Sequence, residues 1–85
     1  MRKALEEDVP SKLSVYRVTP KGNSWIVRDE NSGNTLSTHR IKTEAEAHAR
    51  AIAESQSVSE VLIDYQDGTL QRRFTCGKGR LSLFD

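Results

Sequence analysis

The sequence lacks the residue groups that mark most catalytic centres and metal sites. It has one cysteine, Cys76, so no disulfide can form within the chain, and its only two histidines are His39 and His48. No pair of Cys, His or acidic residues has the spacing of a known metal site. Gly77 and Gly79 are too closely spaced for a phosphate-binding loop, and no helix is predicted after them. We therefore predict a protein that is not an enzyme and that uses no metal and no cofactor.

Long apolar runs and an excess of one charge are also missing. No window approaches the roughly 20 apolar residues of a transmembrane helix. The first ten residues, MRKALEEDVP, lack the apolar stretch of a secretory signal peptide. Thirteen Lys and Arg residues are nearly balanced by twelve Asp and Glu residues, so the overall charge is not that of a typical nucleic-acid-binding protein. These features predict a cytoplasmic protein without a membrane partner.

The length of 85 residues is enough for one domain with one core. We predict a flexible N-terminal segment over residues 1–10, a folded domain over 11–77 and a C-terminal tail over 78–85. A domain of this size buries only about 60% of the surface of its unfolded chain. A homodimer is therefore one expected form of the protein.

Five segments have the β-branched and aromatic residues and the alternation that are typical of strands. They cover residues 13–18, 25–29, 35–41, 60–65 and 70–75. Pro20 and Gly22 lie between the first two segments and predict a hairpin turn. Trp25 begins the second segment. We interpret this residue as a central core residue, with stacking on a nucleic-acid base or contact with a partner as the alternatives.

The last two strands are joined through Asp67-Gly68, which predicts a two-residue type I′ turn with positive φ at both residues. A turn of that length fixes the register and therefore the face on which each side chain lies. The predicted core-facing pairs are Val61–Phe74, Ile63–Arg72 and Tyr65–Leu70. The predicted pairs on the other face are Leu62–Arg73 and Asp64–Gln71.

The apolar spacing becomes helical over residues 42–55. Thr43, followed three residues later by Glu46, predicts a capping box at the start of the helix. The predicted buried stripe consists of Ala45, Ala49, Ile52 and Ala53. Its small side chains would let the helix axis approach a sheet closely. The order β-β-β-α-β-β predicts an α+β fold, with an antiparallel sheet of four to five strands and one helix packed on one face.

Four short motifs occur in a fixed order along the chain: Tyr-x-Val-x-Pro, Trp-x-Val, an Ala-rich helix containing Glu-Ala, and Asp-Gly. The residues that match them are Tyr16, Val18, Pro20, Trp25, Val27, Thr43, Glu46, Ala47, Ala53, Asp67 and Gly68. This order resembles that of a family of small bacterial domains of unknown function, over about residues 14–77. The resemblance implies a β-β-(β)-α-β-β fold and a bacterial or phage origin, and it implies no catalytic residues.

The tail carries the predicted partner contacts, which are Leu81, Leu83 and Phe84. Two large apolar anchors behind a glycine hinge are typical of a docking peptide. The segment is also similar to the short motif with which bacterial replication and repair proteins dock on the sliding clamp, although Arg80 stands where that motif has glutamine. The other explanation is that the tail packs on the domain or against a dimer mate. A non-enzymatic module that acts through protein–protein contacts is the function we predict.

The arginines of the last hairpin support an alternative function, contact with nucleic acid. The candidate phosphate contacts are Arg17, Arg72, Arg73, Lys78 and Arg80. Acidic residues occur on the same hairpin, which favours an ordinary solvated face of mixed charge. A protein partner or a homodimer is therefore the main expectation, and nucleic acid is the second.

Overall fold

The strands and the helix follow the predicted order. The computed structural model of the protein describes residues 13–56 and 58–76. The elements are β1 (Ser14–Lys21), β2 (Ser24–Asp29), β3 (Thr35–His39), α1 (Lys42–Glu54), β4 (Ser59–Asp64) and β5 (Leu70–Cys76). The predicted segments 1–10 and 78–85 lie outside the described residues. The predicted α+β fold with one helix is confirmed.

The sheet is mixed, because one of its four strand pairs is parallel. The strand order is β3-β2-β1-β4-β5, and the central pair β1–β4 is the parallel one. The other three pairs are antiparallel, as expected. The predicted sheet was antiparallel throughout, and the path of the chain explains the parallel pair. β3 runs in the same direction as β1, and α1 carries the chain back along the sheet, so β4 starts beside the start of β1. Parallel strands require such a crossover of a dozen or more residues.

The core lies between α1 and one face of the sheet. Its fully buried aliphatic side chains are Val18, Val27, Ala45, Ala49, Ala53, Val61 and Ile63. The three alanines are the predicted stripe of α1, and Ile52 is partly buried beside them. Trp25 and Phe74 are also only partly buried against this core. Trp25 therefore lies at the margin of the core and not at its centre.

The start of α1 differs from the prediction. The residue before the helix is Ile41, whose backbone is extended and whose side chain makes no capping hydrogen bond. Its carbonyl oxygen accepts from the amides of Glu44 and Ala45, at 3.1 and 3.2 Å. The capping-box prediction is wrong because the helix begins one residue before Thr43, which leaves that side chain inside the first turn.

Within the described residues, no helix is long and apolar enough to cross a membrane.

Three residues, 66–68, are enclosed by the last hydrogen-bonded pair of the hairpin, Tyr65 and Thr69, instead of the predicted two. The amide of Tyr65 donates to the carbonyl oxygen of Thr69 at 2.7 Å, and the amide of Gly68 donates to that of Tyr65 at 2.9 Å. Gly68 has a positive φ of 90°, whereas Asp67 does not. A type I′ turn needs positive φ at both positions, so that prediction is wrong. Thr69 donates twice to the Asp67 carboxylate, and these hydrogen bonds lower the pKa of Asp67.

A bulge in β5 compensates for the longer loop. Asp64 lies opposite Leu70, but Ile63 lies opposite Arg72, so Gln71 is the extra residue. The bulge restores the predicted register for the rest of the hairpin, and three predicted pairs are confirmed: Val61–Phe74, Leu62–Arg73 and Ile63–Arg72. The predicted pairs Tyr65–Leu70 and Asp64–Gln71 are wrong. Tyr65 and Leu70 are 50% and 44% exposed instead of buried.

The alanine stripe generates a testable prediction about packing. Ala49 is fully buried against the sheet, whereas Ala47 is exposed on the same helix. Ala49→Leu should lower the free energy of unfolding by about 1–3 kcal/mol, because the extra volume has no space between α1 and the strands. Ala47→Leu is the matched control and should change it by less than about 0.5 kcal/mol. Equal effects of the two substitutions in urea denaturation would show that α1 does not pack on the sheet through Ala49.

Candidate functional site

Lys42 joins two aromatic side chains at one end of the sheet. At this end β1 and β4 finish, β2 and β5 begin, and α1 starts. The Lys42 Nζ atom lies 5.0 Å from the centre of the Trp25 ring and 5.9 Å from that of the Tyr65 ring. It also donates a hydrogen bond of 2.5 Å to Gln71 Oε1. Lys42 thus connects residues from β2, from the start of α1 and from both sides of the last loop.

Two exposed apolar residues lie next to this cluster in the chain. Ile41 immediately precedes Lys42, and Leu70 immediately precedes Gln71. We call the set of Trp25, Ile41, Lys42, Tyr65 and Leu70 the Lys42 end. The other large apolar side chains that are exposed among the described residues, Leu13, Leu36 and Val58, lie at the opposite end of the sheet. Within the part of the chain that the structure describes, only the Lys42 end combines these exposed apolar side chains with aromatic rings and a cation.

A row of contacts continues from the Lys42 end along the boundary between α1 and β5. We call it the helix–β5 seam, and it consists of Lys42, Glu46 and Arg50 on α1 and Gln71, Arg72 and Phe74 on β5. The three helix residues are four positions apart and therefore lie on one side of α1. Each of them contacts a side chain of β5. The bulge at Gln71 places that side chain within reach of Lys42.

The seam has more positive than negative charge. Arg72 Nη2 lies 3.6 Å from Glu46 Oε1. The guanidinium carbons of Arg50 and Arg72 lie 4.6 and 5.6 Å from the centre of the Phe74 ring. Lys42 and Arg50 have no carboxylate within ion-pair distance among residues 13–56 and 58–76. Of the three cations of the seam, only Arg72 therefore has a carboxylate at ion-pair distance among the described residues.

The sheet face opposite α1 contains a network of ion pairs. Arg17 lies directly opposite Arg28 in the β1–β2 pairing, and Glu30 lies between their charges, 3.4 Å from Arg17 Nε and 2.8 Å from Arg28 Nε. Arg17 Nη1 donates to both carboxylate oxygens of Asp64, at 2.8 and 3.1 Å. The Asp64 side chain is only 2% exposed and that of Arg17 is 24% exposed. The charge of Arg17 is thus already compensated by two carboxylates.

The three predicted nucleic-acid contacts that the structure describes do not share one surface. Arg17 and Arg73 lie on the face with the ion network, where Arg73 Nε is 3.9 Å from Glu60 Oε2. Arg72 lies on the other face, in the helix–β5 seam. Lys78 and Arg80 lie outside the described residues, as do the predicted tail contacts Leu81, Leu83 and Phe84. The structure therefore separates Arg72 from Arg17 and Arg73, the other two predicted contacts within the described residues.

The two histidines lie close together, although no sequence pattern pairs them. The rings of His39 and His48 have centres 5.2 Å apart and are tilted by 49°. Ser37 Oγ and His39 Nε2 share a hydrogen bond of 2.8 Å. Only the path of the chain from β3 into α1 brings these residues together. Among residues 13–56 and 58–76, no group of three His, Cys, Asp or Glu side chains is arranged to hold a metal ion.

Sequence reasoning missed Lys42, which is the central residue of the Lys42 end. The sequence shows it only as a polar residue before the helix, with nothing that relates it to Trp25 or Tyr65. Its position depends on where α1 begins and on how the last hairpin is closed. Neither of these follows from the spacing of apolar residues.

Comparison with known proteins identifies a family without assigning an activity. Residues 16–76 match the family model described as "Uncharacterized protein conserved in bacteria (DUF2188)". No curated protein and no solved structure matches the chain. The match covers most of the chain, and it confirms the predicted resemblance to a small bacterial domain family of unknown function.

The ion network generates a prediction about stability. Asp64→Asn keeps the shape of the side chain but leaves the partly buried Arg17 without its nearest carboxylate, and it should lower the free energy of unfolding by about 1–3 kcal/mol. Glu60→Gln removes a carboxylate from the longer pair with the exposed Arg73, at 3.9 Å, and should cost less than about 0.5 kcal/mol. Urea denaturation of both variants tests this difference. An Asp64→Asn protein as stable as the Glu60→Gln protein would mean that the Arg17–Asp64 pair contributes nothing to folding.

Proposed function

Because the chain belongs to the uncharacterized bacterial family DUF2188, we propose a function from the surface of the domain itself. The protein is a non-enzymatic binding module of the cytoplasm that acts through protein–protein contacts. Its contact surface is the Lys42 end. The observation that carries the proposal is the grouping of exposed Tyr65 and Leu70 with the Lys42–Trp25 contact at one end of the sheet.

The composition of the Lys42 end supports this proposal. Aromatic residues are enriched where proteins bind one another, because a large rigid ring buries much area and loses little conformational entropy. Tyr65 supplies such a ring, and half of its surface faces solvent. Lys42 lies close to the Tyr65 ring and is held by Gln71, so part of the surface is already ordered before a partner binds.

The last loop supports the same proposal. Tyr65 and Leu70 flank a loop closed by the hydrogen bonds of Thr69 to Asp67 and of Gly68 to Tyr65. These short bonds fix the loop that presents both apolar side chains. Burial of an exposed leucine by a partner would stabilise a complex by about 1–2 kcal/mol, since roughly 25 cal/mol is gained for each Å² of apolar area removed from water.

Other partners stay predictions. A second copy of the chain is one protein partner that the Lys42 end could bind. Docking on the sliding clamp through Leu81, Leu83 and Phe84 is a separate hypothesis, because those residues lie outside the described part of the chain. Contact with nucleic acid through the arginines of the last hairpin is weakened by their placement on two faces.

The proposal predicts that two leucines at opposite ends of the sheet behave differently. Leu70 and Leu13 are similarly exposed, at 44% and 39%. Proteins captured from a nuclease-treated bacterial lysate by the full chain should be lost with Leu70→Gln, because that substitution removes apolar area from the contact surface. They should be retained with Leu13→Gln, which is the matched control.

Light scattering on the purified chain accompanies the capture experiment and shows whether a second copy is the partner. A concentration-dependent dimer that Leu70→Gln dissociates would support the proposal in that form. Captured proteins that are retained by Leu70→Gln and lost with Leu13→Gln would contradict it. Capture that disappears once nucleases are added would contradict it too, since the contact would then depend on nucleic acid.

A further inference from the structure

The helix–β5 seam indicates the chemical class of partner that the protein binds. The inference rests on the proposed function, because the seam begins at Lys42 and extends the same contact surface along α1. Its basis is the distribution of charge. Among the described residues, Lys42 and Arg50 have no carboxylate at ion-pair distance, and Arg72 has only Glu46, at 3.6 Å. A partner that supplies carboxylates would complete these contacts.

The cations of the seam are held in place by aromatic rings. Arg50 and Arg72 both lie over Phe74, and Lys42 lies near Trp25 and Tyr65. A guanidinium group stacked on a ring still directs its N–H donors outward in its own plane, where they match a carboxylate. Side chains that are already held in this way lose less conformational entropy when an anion binds.

The spacing of the cations fits an extended peptide. Arg50 follows Lys42 by eight positions in the helix, which corresponds to about 12 Å along α1. Arg72 lies between them, since it pairs with Glu46 in the intervening turn. In an extended segment, side chains at every second residue point the same way, and residues i and i+4 are about 13 Å apart. Three alternate acidic residues would therefore span the three cations.

The seam fits an acidic protein segment better than a nucleic acid. Single-stranded nucleic acids bind by stacking bases on free aromatic faces along a strongly positive groove. Phe74 is contacted by two arginines, and Glu46 places a negative charge in the middle of the seam. The whole chain has a formal charge of only +1. On the opposite face, Arg17, Arg28 and Arg73 already have carboxylates nearby.

We propose that the helix–β5 seam binds an extended acidic segment of a partner protein, with Lys42, Arg50 and Arg72 each contacting a carboxylate. Tyr65 and Leu70 at the Lys42 end would contact apolar residues that flank the acidic segment. The sheet face opposite α1, which contains the ion network, takes no part in this contact.

Adjacent arginines of β5 provide the test, because Arg72 and Arg73 point to opposite faces of the sheet. Fluorescence anisotropy of a labelled peptide of alternating glutamate and serine should show binding to the full-length protein, weakening as salt is added. Arg72→Gln should weaken binding by about threefold to tenfold. Arg73→Gln should leave it unchanged. A peptide of alternating glutamine and serine should not bind.

Arg50→Gln serves as a second variant if Arg72→Gln does not fold, because Arg50 is exposed on α1. This substitution should weaken binding to a similar extent. Equal weakening by Arg72→Gln and Arg73→Gln would overturn the inference, since it would show only diffuse charge attraction. No binding of the glutamate peptide would also overturn it, as would tighter binding of a labelled oligothymidylate. If the glutamate peptide fails while lysate capture still depends on Leu70, the acidic partner is wrong and the proposed function stands.

Discussion

The parallel pairing of β1 and β4 is the constraint on which the rest of the structure depends. Two adjacent parallel strands cannot be joined by a hairpin, so the chain must return along the sheet between them. α1 makes that return, and its alanine stripe allows it to lie close to the strands. The return also determines that α1 begins where β1 and β4 end. Lys42 therefore meets Trp25 and Tyr65, although the three residues are far apart in sequence.

The same strand pair organises the other face of the sheet. Arg17 on β1 lies beside β4 and donates to the buried Asp64, and Glu30 links it to Arg28 on β2. Charge on this face is largely satisfied within the domain. Charge along the helix–β5 seam is not, because among the described residues Glu46 pairs with Arg72 while Lys42 and Arg50 have no carboxylate at ion-pair distance. The two sides of the sheet thus differ in how far their positive charge is compensated by carboxylates of the domain. The proposed contacts lie along the helix–β5 seam, where it is less compensated.

The sequence predicted the strands and the buried side of the helix well, whereas the helix cap and the type of the last turn were wrong. Alternation identified the strands, and the alanine spacing identified the buried side of α1, because burial of one face imposes a period that can be read from residue types. The register of the last hairpin was right from Ile63 towards the start of β4, although Asp67-Gly68 does not form a type I′ turn. That agreement depends on the bulge at Gln71, which no residue pattern predicted.

The features of the candidate site that the sequence did not predict depend on contacts between distant elements. Parallel and antiparallel pairing give the same alternation of apolar residues along each strand, so the parallel pair was missed. Asp64 was placed on the right face, but its burial follows from Arg17 on another strand. The role of Lys42 follows from the start of α1. The candidate site was therefore less predictable than the fold, because it consists of such contacts.

A nuclear Overhauser spectrum of the full-length protein tests the central claim most directly, namely that parallel pairing of β1 and β4 assembles the Lys42 end. Backbone contacts should link Tyr16 with Val61 and Val18 with Ile63, in the pattern of parallel strands. The same spectrum should show Lys42 side-chain protons near both the Trp25 and the Tyr65 rings. Antiparallel contacts between β1 and β4, or Lys42 protons without contact to either ring, would contradict the account.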